Sequence, residues 1–267
     1  MISQNIILVG CGKMGSALFG GLLPNLESKS QALIISPSGK GSDFGVNLVN
    51  SASQIPDDFK PEIILLAVKP QIIGNVLEEY KKYTDGNTLF ISVAAGKTIK
   101  FFEDKLGKQT PIVRAMPNLP SLIKLGATTI CANDIVNETQ KSITTSLFES
   151  VGMAIWLDNE SQMNAATGLA GSGPAYVFHF IECLIEAGIK EGLPQDTATE
   201  LAISTVLGSA VMANNSDNSV TQLKEQVISP NGTTQAGIDA LSKDGSLQKL
   251  IQNTVSAATR RSKELAE

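Results

Sequence analysis

The hydrophobic pattern of this chain changes near residue 158, and that change limits the possible folds more than any other feature. Up to residue 157, short runs rich in Val, Ile and Leu alternate with segments of helical spacing. The predicted strands cover 5–9, 32–36, 46–49, 62–68, 88–93, 111–114, 127–131 and 153–157. The predicted helices between them cover 14–23, 71–83, 98–106 and 138–150. Continuous apolar strands separated by helices predict an α/β domain over residues 1–158, with a doubly wound parallel sheet covered on both faces.

Residues 159–267 have no strand signal and are predicted to be entirely helical. The predicted helices cover 160–170, 174–191, 195–213, 219–228, 233–243 and 246–265. The segment 174–191 is apolar on most faces, and 195–213 carries many small residues that allow close helix contact. A helix that is apolar nearly all round must be buried on several sides. We therefore expect an all-α dimerisation domain that binds a second copy of the chain; a self-contained bundle is the alternative.

Composition excludes several classes of protein. A formal net charge of −5 argues against a nucleic-acid partner, which would need a basic face. The three cysteines, Cys11, Cys131 and Cys183, are scattered, which predicts a reducing, cytoplasmic location and no zinc motif. Glycines interrupt the first apolar run, so no signal peptide is expected. The longest apolar stretch, 175–189, is too short and too polar to span a membrane.

A glycine-rich motif follows the first predicted strand. Gly10, Gly12 and Gly15 form GxGxxG, with Cys11, Lys13 and Met14 between them. The first glycine suits a tight turn, the second lets the backbone approach a pyrophosphate, and the third allows close packing of helix on strand. The strand before and the helix after this motif predict a Rossmann-type dinucleotide site.

The end of the second predicted strand indicates which dinucleotide binds. NAD sites usually place Asp or Glu there to hold the ribose hydroxyls. Here the segment carries Ser36, Ser38 and Lys40 and no carboxylate. Hydroxyls and a lysine suit a 2′-phosphate, so NADPH is the predicted cofactor and NADH the alternative.

The loop after the strand 62–68 is a second predicted cofactor contact. In open α/β sheets, ligands lie beyond the carboxyl ends of the strands. The residues expected to line this part of the cleft are Ala67, Val68, Lys69 and Pro70. Small residues at 92–96, after the next strand, would flank the same cleft.

A turn late in the chain predicts a second anion site. Pro230, Asn231 and Gly232 are turn residues, and Thr233 and Thr234 then open a helix. The first backbone N–H groups of a helix lack partners within it and attract anions. An ordinary helix cap is the alternative.

No side chain stands out as a catalytic acid. His179 and Tyr176 lie in an apolar helix and are expected to be core or interface residues. Glu182 and Glu186 suit a solvated pair, and Cys11 fits a glycine turn. No metal cluster appears in the sequence. A substrate that is already an iminium ion needs no added proton, and a carboxylate on it would suit the amides of residues 232–234, with the Thr234 hydroxyl on the ring nitrogen.

Several motifs together resemble the Δ1-pyrroline-5-carboxylate reductases, and the resemblance runs through essentially the whole chain. The matching segments are GCGKMGSAL (10–18), AVKPQ (67–71), SVAAGKTI (92–99), RAMPNLP (114–120), GLAGSGPAYVF (168–178) and SPNGTTQAGIDAL (229–241). The resemblance implies NAD(P)H-dependent reduction of L-1-pyrroline-5-carboxylate to L-proline, the last step of proline biosynthesis. It also implies a dimer with interlocking helices, commonly assembled into decamers, and a substrate pocket near the dimer interface.

The resemblance also implies roles for individual residues. Thr234 would be the catalytic residue that hydrogen-bonds the ring nitrogen, and the amides of the turn Asn231, Gly232 and Thr233 would bind the carboxylate. The implied cofactor contacts are Ser36, for the phosphate, and the loop of Ala67, Val68, Lys69 and Pro70.

One position departs from the family pattern. Many relatives carry an asparagine near position 52 that holds the adenosine part of the cofactor, and this chain has Ala52 there. Asn50 is the candidate substitute. The competing functions are reduction of another cyclic imine or keto acid, and non-catalytic NADP sensing.

Overall fold

The computed structural model describes residues 2–266, which form one mixed sheet and ten α-helices. The strands are β1 (Ile6–Val9), β2 (Ala32–Ile35), β3 (Asn47–Val49), β4 (Ile63–Leu66), β5 (Leu89–Ser92), β6 (Ile112–Met116), β7 (Gly126–Ala132) and β8 (Gly152–Trp156). The helices are α1 (Lys13–Leu22), α2 (Ile73–Glu78), α3 (Ile99–Leu106), α4 (Glu138–Glu149), α5 (Met163–Ala166), α6 (Gly173–Lys190), α7 (Gln195–Asn215), α8 (Val220–Val227), α9 (Thr233–Ser242) and α10 (Ser246–Ala266). The α/β fold with a helical second half, predicted from the pattern, is confirmed.

The sheet has the order β3-β2-β1-β4-β5-β6-β7-β8. Strands β1 to β6 are parallel, and each of β1, β2, β4 and β5 is buried along its whole length. The chain order reverses between β1 and β4, which is the switch point where ligands bind in such sheets.

The expectation of a wholly parallel sheet is wrong at one pair. Strand β7 runs antiparallel to β6, with Arg114 opposite Cys131. Residues 117–125 between them contain a 3₁₀ turn at Leu119–Ile123 instead of a crossover helix. A parallel neighbour needs such a crossover, so this short connection returns the chain in the opposite direction.

Two apolar clusters cover the faces of the sheet. On one face, Leu18 and Phe19 of α1 pack with Phe148 of α4 and the outward side chains of β1 and β4. On the other, Leu77 of α2 and Phe102 of α3 pack against the alternate side chains of the same strands. This double covering explains why these strands read as continuous apolar runs.

The segment predicted as a helix over 160–170 is broken into short turns. A 3₁₀ turn at Glu160–Gln162 leads into α5, and Thr167–Gly171 is a π-type turn. Gly168 and Gly171 lower the helical stability of this stretch, and π-type turns often occur at functional sites.

The described chain divides into two compact units. One comprises the residues up to Ser172 together with those from Ala257 onward, and the other comprises Gly173–Ser256. This division differs from the predicted boundary at 158/159. Residues 160–172 stay with the sheet, where Met163 is fully buried, and Ser262 of α10 donates to Asn164 at 2.8 Å.

The helical unit leaves much apolar surface uncovered within one chain. Gly188 of α6 lies against α7, where a Cβ on it would be 3.3 Å from Ala198. Other apolar residues of α6 and α7 are exposed, among them Phe178, Phe180, Leu201, Leu207 and Met212. Neither these helices nor any other in residues 2–266 has the length and apolar character needed to cross a membrane.

Candidate active site

The glycine motif forms a turn whose first and third glycines are required by contacts within the chain. Gly10 has φ +89°, and a Cβ on it would lie 2.8 Å from the carbonyl oxygen of Ala67. A Cβ on Gly15 would overlap the carbonyl oxygen of Gly10. These glycines therefore allow the turn and the close packing of α1, as predicted from their spacing.

Gly12 needs a different explanation. It has extended backbone angles at the start of α1, and a Cβ on it would meet no heavy atom within 4 Å. Contacts within the chain thus do not require glycine at position 12. Close approach of a pyrophosphate to the helix N-terminus would require it. Lys13 is exposed beside it, and Met14 packs against the core. These residues fit a dinucleotide.

The end of β2 presents two hydroxyl groups. The backbone carbonyl oxygen of Ser36 accepts from the Gly39 amide at 2.9 Å, which closes a turn over Pro37 and Ser38. The Ser36 and Ser38 hydroxyl oxygens lie 3.3 Å apart. Ser36 itself is buried, and Lys40 is exposed beyond the turn. Paired hydroxyl groups suit a phosphate, and the segment 34–40 contains no carboxylate residue.

The loop after β4 lies directly against the glycine turn. Ala67 donates its amide to the carbonyl oxygen of Val9 at 2.8 Å, and a Cβ on Gly10 would also touch Val68. Lys69 is exposed, and Pro70 lies in the turn that leads into α2. The structure thus brings the loops after β1 and β4 together at the switch point.

Ala52 and Asn50 differ in their surroundings. Ala52 is buried with Ile55 and Tyr80 against one face of the sheet. Asn50 is exposed, and its backbone amide donates to the side-chain oxygen of Gln54 at 2.8 Å. Replacement of the missing asparagine contact by Asn50 stays a prediction.

The loop after β5 borders a small cavity within the sheet unit. Residues 93–98 connect β5 to α3, and Gly96 has φ +75°. The cavity has a volume of about 220 Å³ and is lined by Ala95, Gly96, Thr167, Ser172, Ala258, Arg261, Ser262 and Leu265. Its walls are mainly small or apolar groups.

The turn before α9 has the conformation that its residues predict. Asn231 has φ +60°, and Gly232 donates its amide to Ser229 at 2.9 Å. A Cβ on Gly232 would overlap the Ser229 hydroxyl and lie 3.0 Å from the Ser229 carbonyl oxygen, so a larger residue would force the Ser229 side chain to move. Because the Gly232 amide is already engaged in the turn, the donors left at this helix end include the amides of Thr233 and Thr234. The prediction from the sequence counts the Gly232 amide among the donors to the substrate carboxylate.

The structure shows the surroundings of His179 and of the buried thiol of Cys131. On α6, Nδ1 of His179 lies 3.1 Å from a carboxylate oxygen of Glu182, and both side chains are at least 70% exposed. Burial, and the nearby Glu160 carboxylate, raise the pKa of the Cys131 thiol to about 12, so it stays protonated at neutral pH. Within residues 2–266, no group of three or more His, Cys, Asp or Glu side chains could hold a metal ion.

Sequence reasoning missed two polar connections. Asn118 accepts from the Ala127 amide at 2.9 Å and donates to the Ala170 carbonyl at 3.1 Å, which joins the start of β7 to the π-type turn. Arg114 donates to Glu160 at 2.7 Å. In the sequence, the segment 114–120 indicates only a resemblance to the family. The signal for these two connections is the presence of polar residues in an otherwise buried strand and turn.

Comparison with known proteins agrees with this geometry. A family model described as pyrroline-5-carboxylate reductase dimerisation matches residues 160–265, and one described as NADP oxidoreductase coenzyme F420-dependent matches residues 5–96. The curated pyrroline-5-carboxylate reductase of Pseudomonas aeruginosa is 35% identical over 100% of this chain and 98% of its own length.

Two solved structures cover the whole chain. A pyrroline-5-carboxylate reductase from Coxiella burnetii has a TM-score of 0.93 at 38% identity, with 100% of both chains covered. The Plasmodium falciparum pyrroline carboxylate reductase, solved with NADP bound, has a TM-score of 0.85 at 36% identity, also with 100% of both chains covered. Similarity of this extent, over both the glycine-rich sheet unit and the helical unit, shows that the chain belongs to the pyrroline-5-carboxylate reductase family.

Proposed function

We propose that this protein reduces L-1-pyrroline-5-carboxylate to L-proline with NADPH. The turn Asn231–Gly232 before α9 carries the proposal, because it presents two helix-terminal amides and a threonine hydroxyl at one point. The substrate carries its carboxylate on the ring carbon next to the nitrogen. The two amides can donate to the carboxylate, and the hydroxyl can form a hydrogen bond with the ring nitrogen.

The proposed cofactor contacts follow from the three loops at the switch point. The pyrophosphate would bind at the N-terminus of α1, beside Gly10, Gly12 and Gly15. The hydroxyls of Ser36 and Ser38 would hold the 2′-phosphate, and residues 67–70 would line the cleft. When bound, NADPH supplies the hydride for the reduction.

The proposed substrate contacts explain the lack of a strong side-chain acid. The imine nitrogen of the substrate is protonated before it binds, so the protein must orient this iminium ion but need not protonate it. The amides of Thr233 and Thr234 would hold the carboxylate, and the Thr234 hydroxyl would accept from the ring N–H. The carbon of the C=N bond is then held in one orientation for hydride addition.

We further propose that residues 159–267 act as a dimerisation and substrate domain. The exposed apolar residues of α6 and α7 support association with a second copy. The same proposal extends to a homodecamer built from dimers, a cytoplasmic location and the absence of a nucleic-acid partner. NADH remains the alternative cofactor.

A steady-state assay tests the activity. NADPH oxidation is followed on addition of the five-membered imine, in parallel with NADH and with the six-membered homologue of the substrate. We expect turnover with NADPH and a lower kcat/KM for the larger ring. Tight NADPH binding without turnover would favour the sensor function, and faster reduction of the six-membered ring would favour another cyclic imine as substrate.

A further inference from the structure

One carboxylate joins three elements of the sheet unit. An oxygen of Glu160 accepts from the guanidinium of Arg114 on β6 at 2.7 Å. The same oxygen accepts from the backbone amide of Ile99, the first residue of α3, at 2.8 Å. Glu160 itself begins the 3₁₀ turn that precedes α5. The carboxylate thus links β6, the N-terminus of α3 and the first turn of the family's dimerisation segment.

The surroundings make this connection stronger than a surface ion pair. The Arg114 side chain is 6% exposed and the Glu160 side chain 29% exposed, so water screens the pair only partly. A carboxylate at the first turn of a helix also interacts favourably with the helix dipole. Thr98 adds a second cap there, because its hydroxyl accepts from the Phe101 amide at 3.2 Å.

This connection lies at the end of a loop that borders the cleft. The loop 93–98 leaves β5 at Ser92, whose register partner on β6 is Arg114. Near its start, the Ala94 amide donates to the Ser92 hydroxyl at 3.2 Å. At its far end, the Ile99 amide donates to Glu160. The loop is therefore held at both ends, and the Glu160 carboxylate provides one of the two attachments.

The path of the loop leaves little room for adjustment. Gly96 has φ +75°, and a Cβ on it would lie 2.7 Å from the carbonyl oxygen of Leu265. The loop follows a strand that neighbours β4, on the edge of the sheet where ligands bind in doubly wound folds. Ala95 and Gly96 also line the 220 Å³ cavity. A shift of the loop would therefore change the shape of this cavity and of the adjoining edge of the sheet.

We propose that Glu160 is a positioning residue for the reduction: through the Ile99 amide and Arg114 it holds residues 93–98 in the place that hydride transfer requires. This inference rests on the proposed function. It predicts a loss in kcat with little change in NADPH affinity, because the glycine turn and the serine hydroxyls that bind the rest of the cofactor are untouched. A misplacement of about 1 Å can reduce an enzymatic rate by about 100-fold.

A pair of double variants separates this role from plain stability. Removing Glu160 alone would leave a buried guanidinium unpaired and could unfold the protein. Arg114→Met/Glu160→Met removes both charges, and apolar replacement of a buried ion pair is often neutral for stability. Arg114→Met/Glu160→Gln is also uncharged, but its amide oxygen can still accept from Ile99. Glu138→Gln, which breaks an exposed ion pair with Lys141, is the control for charge loss alone.

Two readouts decide the outcome. We expect Arg114→Met/Glu160→Met to show faster hydrogen exchange in residues 93–101 and a kcat lower by about tenfold, at an unchanged NADPH dissociation constant. The glutamine variant, which keeps the bond to Ile99 but not the one to Arg114, should recover most of both losses, with a thermal midpoint close to that of the methionine variant. Equal exchange or equal kcat in the two double variants would overturn the proposal. A wild-type protein without imine turnover would overturn the proposed function instead, and the exchange comparison alone would then decide whether Glu160 holds the loop.

Discussion

Thr234 lies in the first turn of α9 and is half-buried. Its backbone amide and its side-chain hydroxyl are both proposed to contact the substrate. Thr234→Ala keeps the amide and removes the hydroxyl. We expect kcat to fall by about 10- to 100-fold, because one hydrogen bond to the reacting group is lost, while NADPH affinity stays near the wild-type value. Thr234→Ser is the matched control and should recover most of the activity. A parallel loss of NADPH binding in the alanine variant would contradict this role.

Ser36 and Ser38 are the residues on which cofactor choice depends. Their hydroxyls lie 3.3 Å apart at the end of β2. In Ser36→Ala/Ser38→Ala we expect the KM for NADPH to rise by about tenfold, since hydrogen bonds to a charged group are lost, and the KM for NADH to stay unchanged. Ser30→Ala, at the other end of β2, is the control. An equal rise for both cofactors would show that the hydroxyls do not contact the 2′-phosphate.

At the scale of elements, the turn between β1 and α1 contains two glycines that serve different purposes. Gly15 is required by packing within the chain, whereas Gly12 is proposed to be required by the cofactor. Gly15→Ala would place a methyl group against the Gly10 carbonyl, whereas Gly12→Ala would meet no atom of the chain. We expect Gly15→Ala to lower the free energy of unfolding by about 2 kcal/mol through overpacking. Gly12→Ala should change it by less than about 1 kcal/mol, because its backbone angles are accessible to alanine.

In cofactor binding, we expect Gly12→Ala to be the more damaging of the two substitutions. Gly12→Ala should raise the NADPH dissociation constant by at least about tenfold, since the methyl group would stand between the backbone and the pyrophosphate. Chemical denaturation and NADPH fluorescence titration measure the two quantities. A Gly12→Ala protein that is stable and binds NADPH normally would place the pyrophosphate elsewhere.

At the scale of the whole molecule, the helical unit (Gly173–Ser256) has exposed apolar side chains on α7. Leu207 on α7 is 60% exposed although it lies in an apolar segment. We expect Leu207→Lys to yield a monomer by light scattering and to lose imine reduction, because a charge would enter the apolar interface. Thr139→Lys, at an exposed position of α4, is the control. A folded, fully active Leu207→Lys monomer would contradict the dimerisation domain.

Much of the fold and site could be predicted because the signals are local. The strand and helix positions follow from apolar periodicity, and the bounds of β1, β2 and α9 differ from prediction by a residue or two. The glycine motif and the turn at Asn231 depend on backbone angles that neighbouring residues already favour. The resemblance to pyrroline-5-carboxylate reductases used the same short motifs.

The sequence by itself therefore determined the two-part organisation, the dinucleotide loop and the turn before α9, since each depends on residues that are close in the chain. Only the tertiary structure decided the antiparallel pairing of β7 with β6 and the packing of residues 160–172 with the sheet. It also decided that Arg114 meets Glu160, 46 residues away, at the N-terminus of α3. Such contacts arise from the packing of distant segments, to which local periodicity carries no signal.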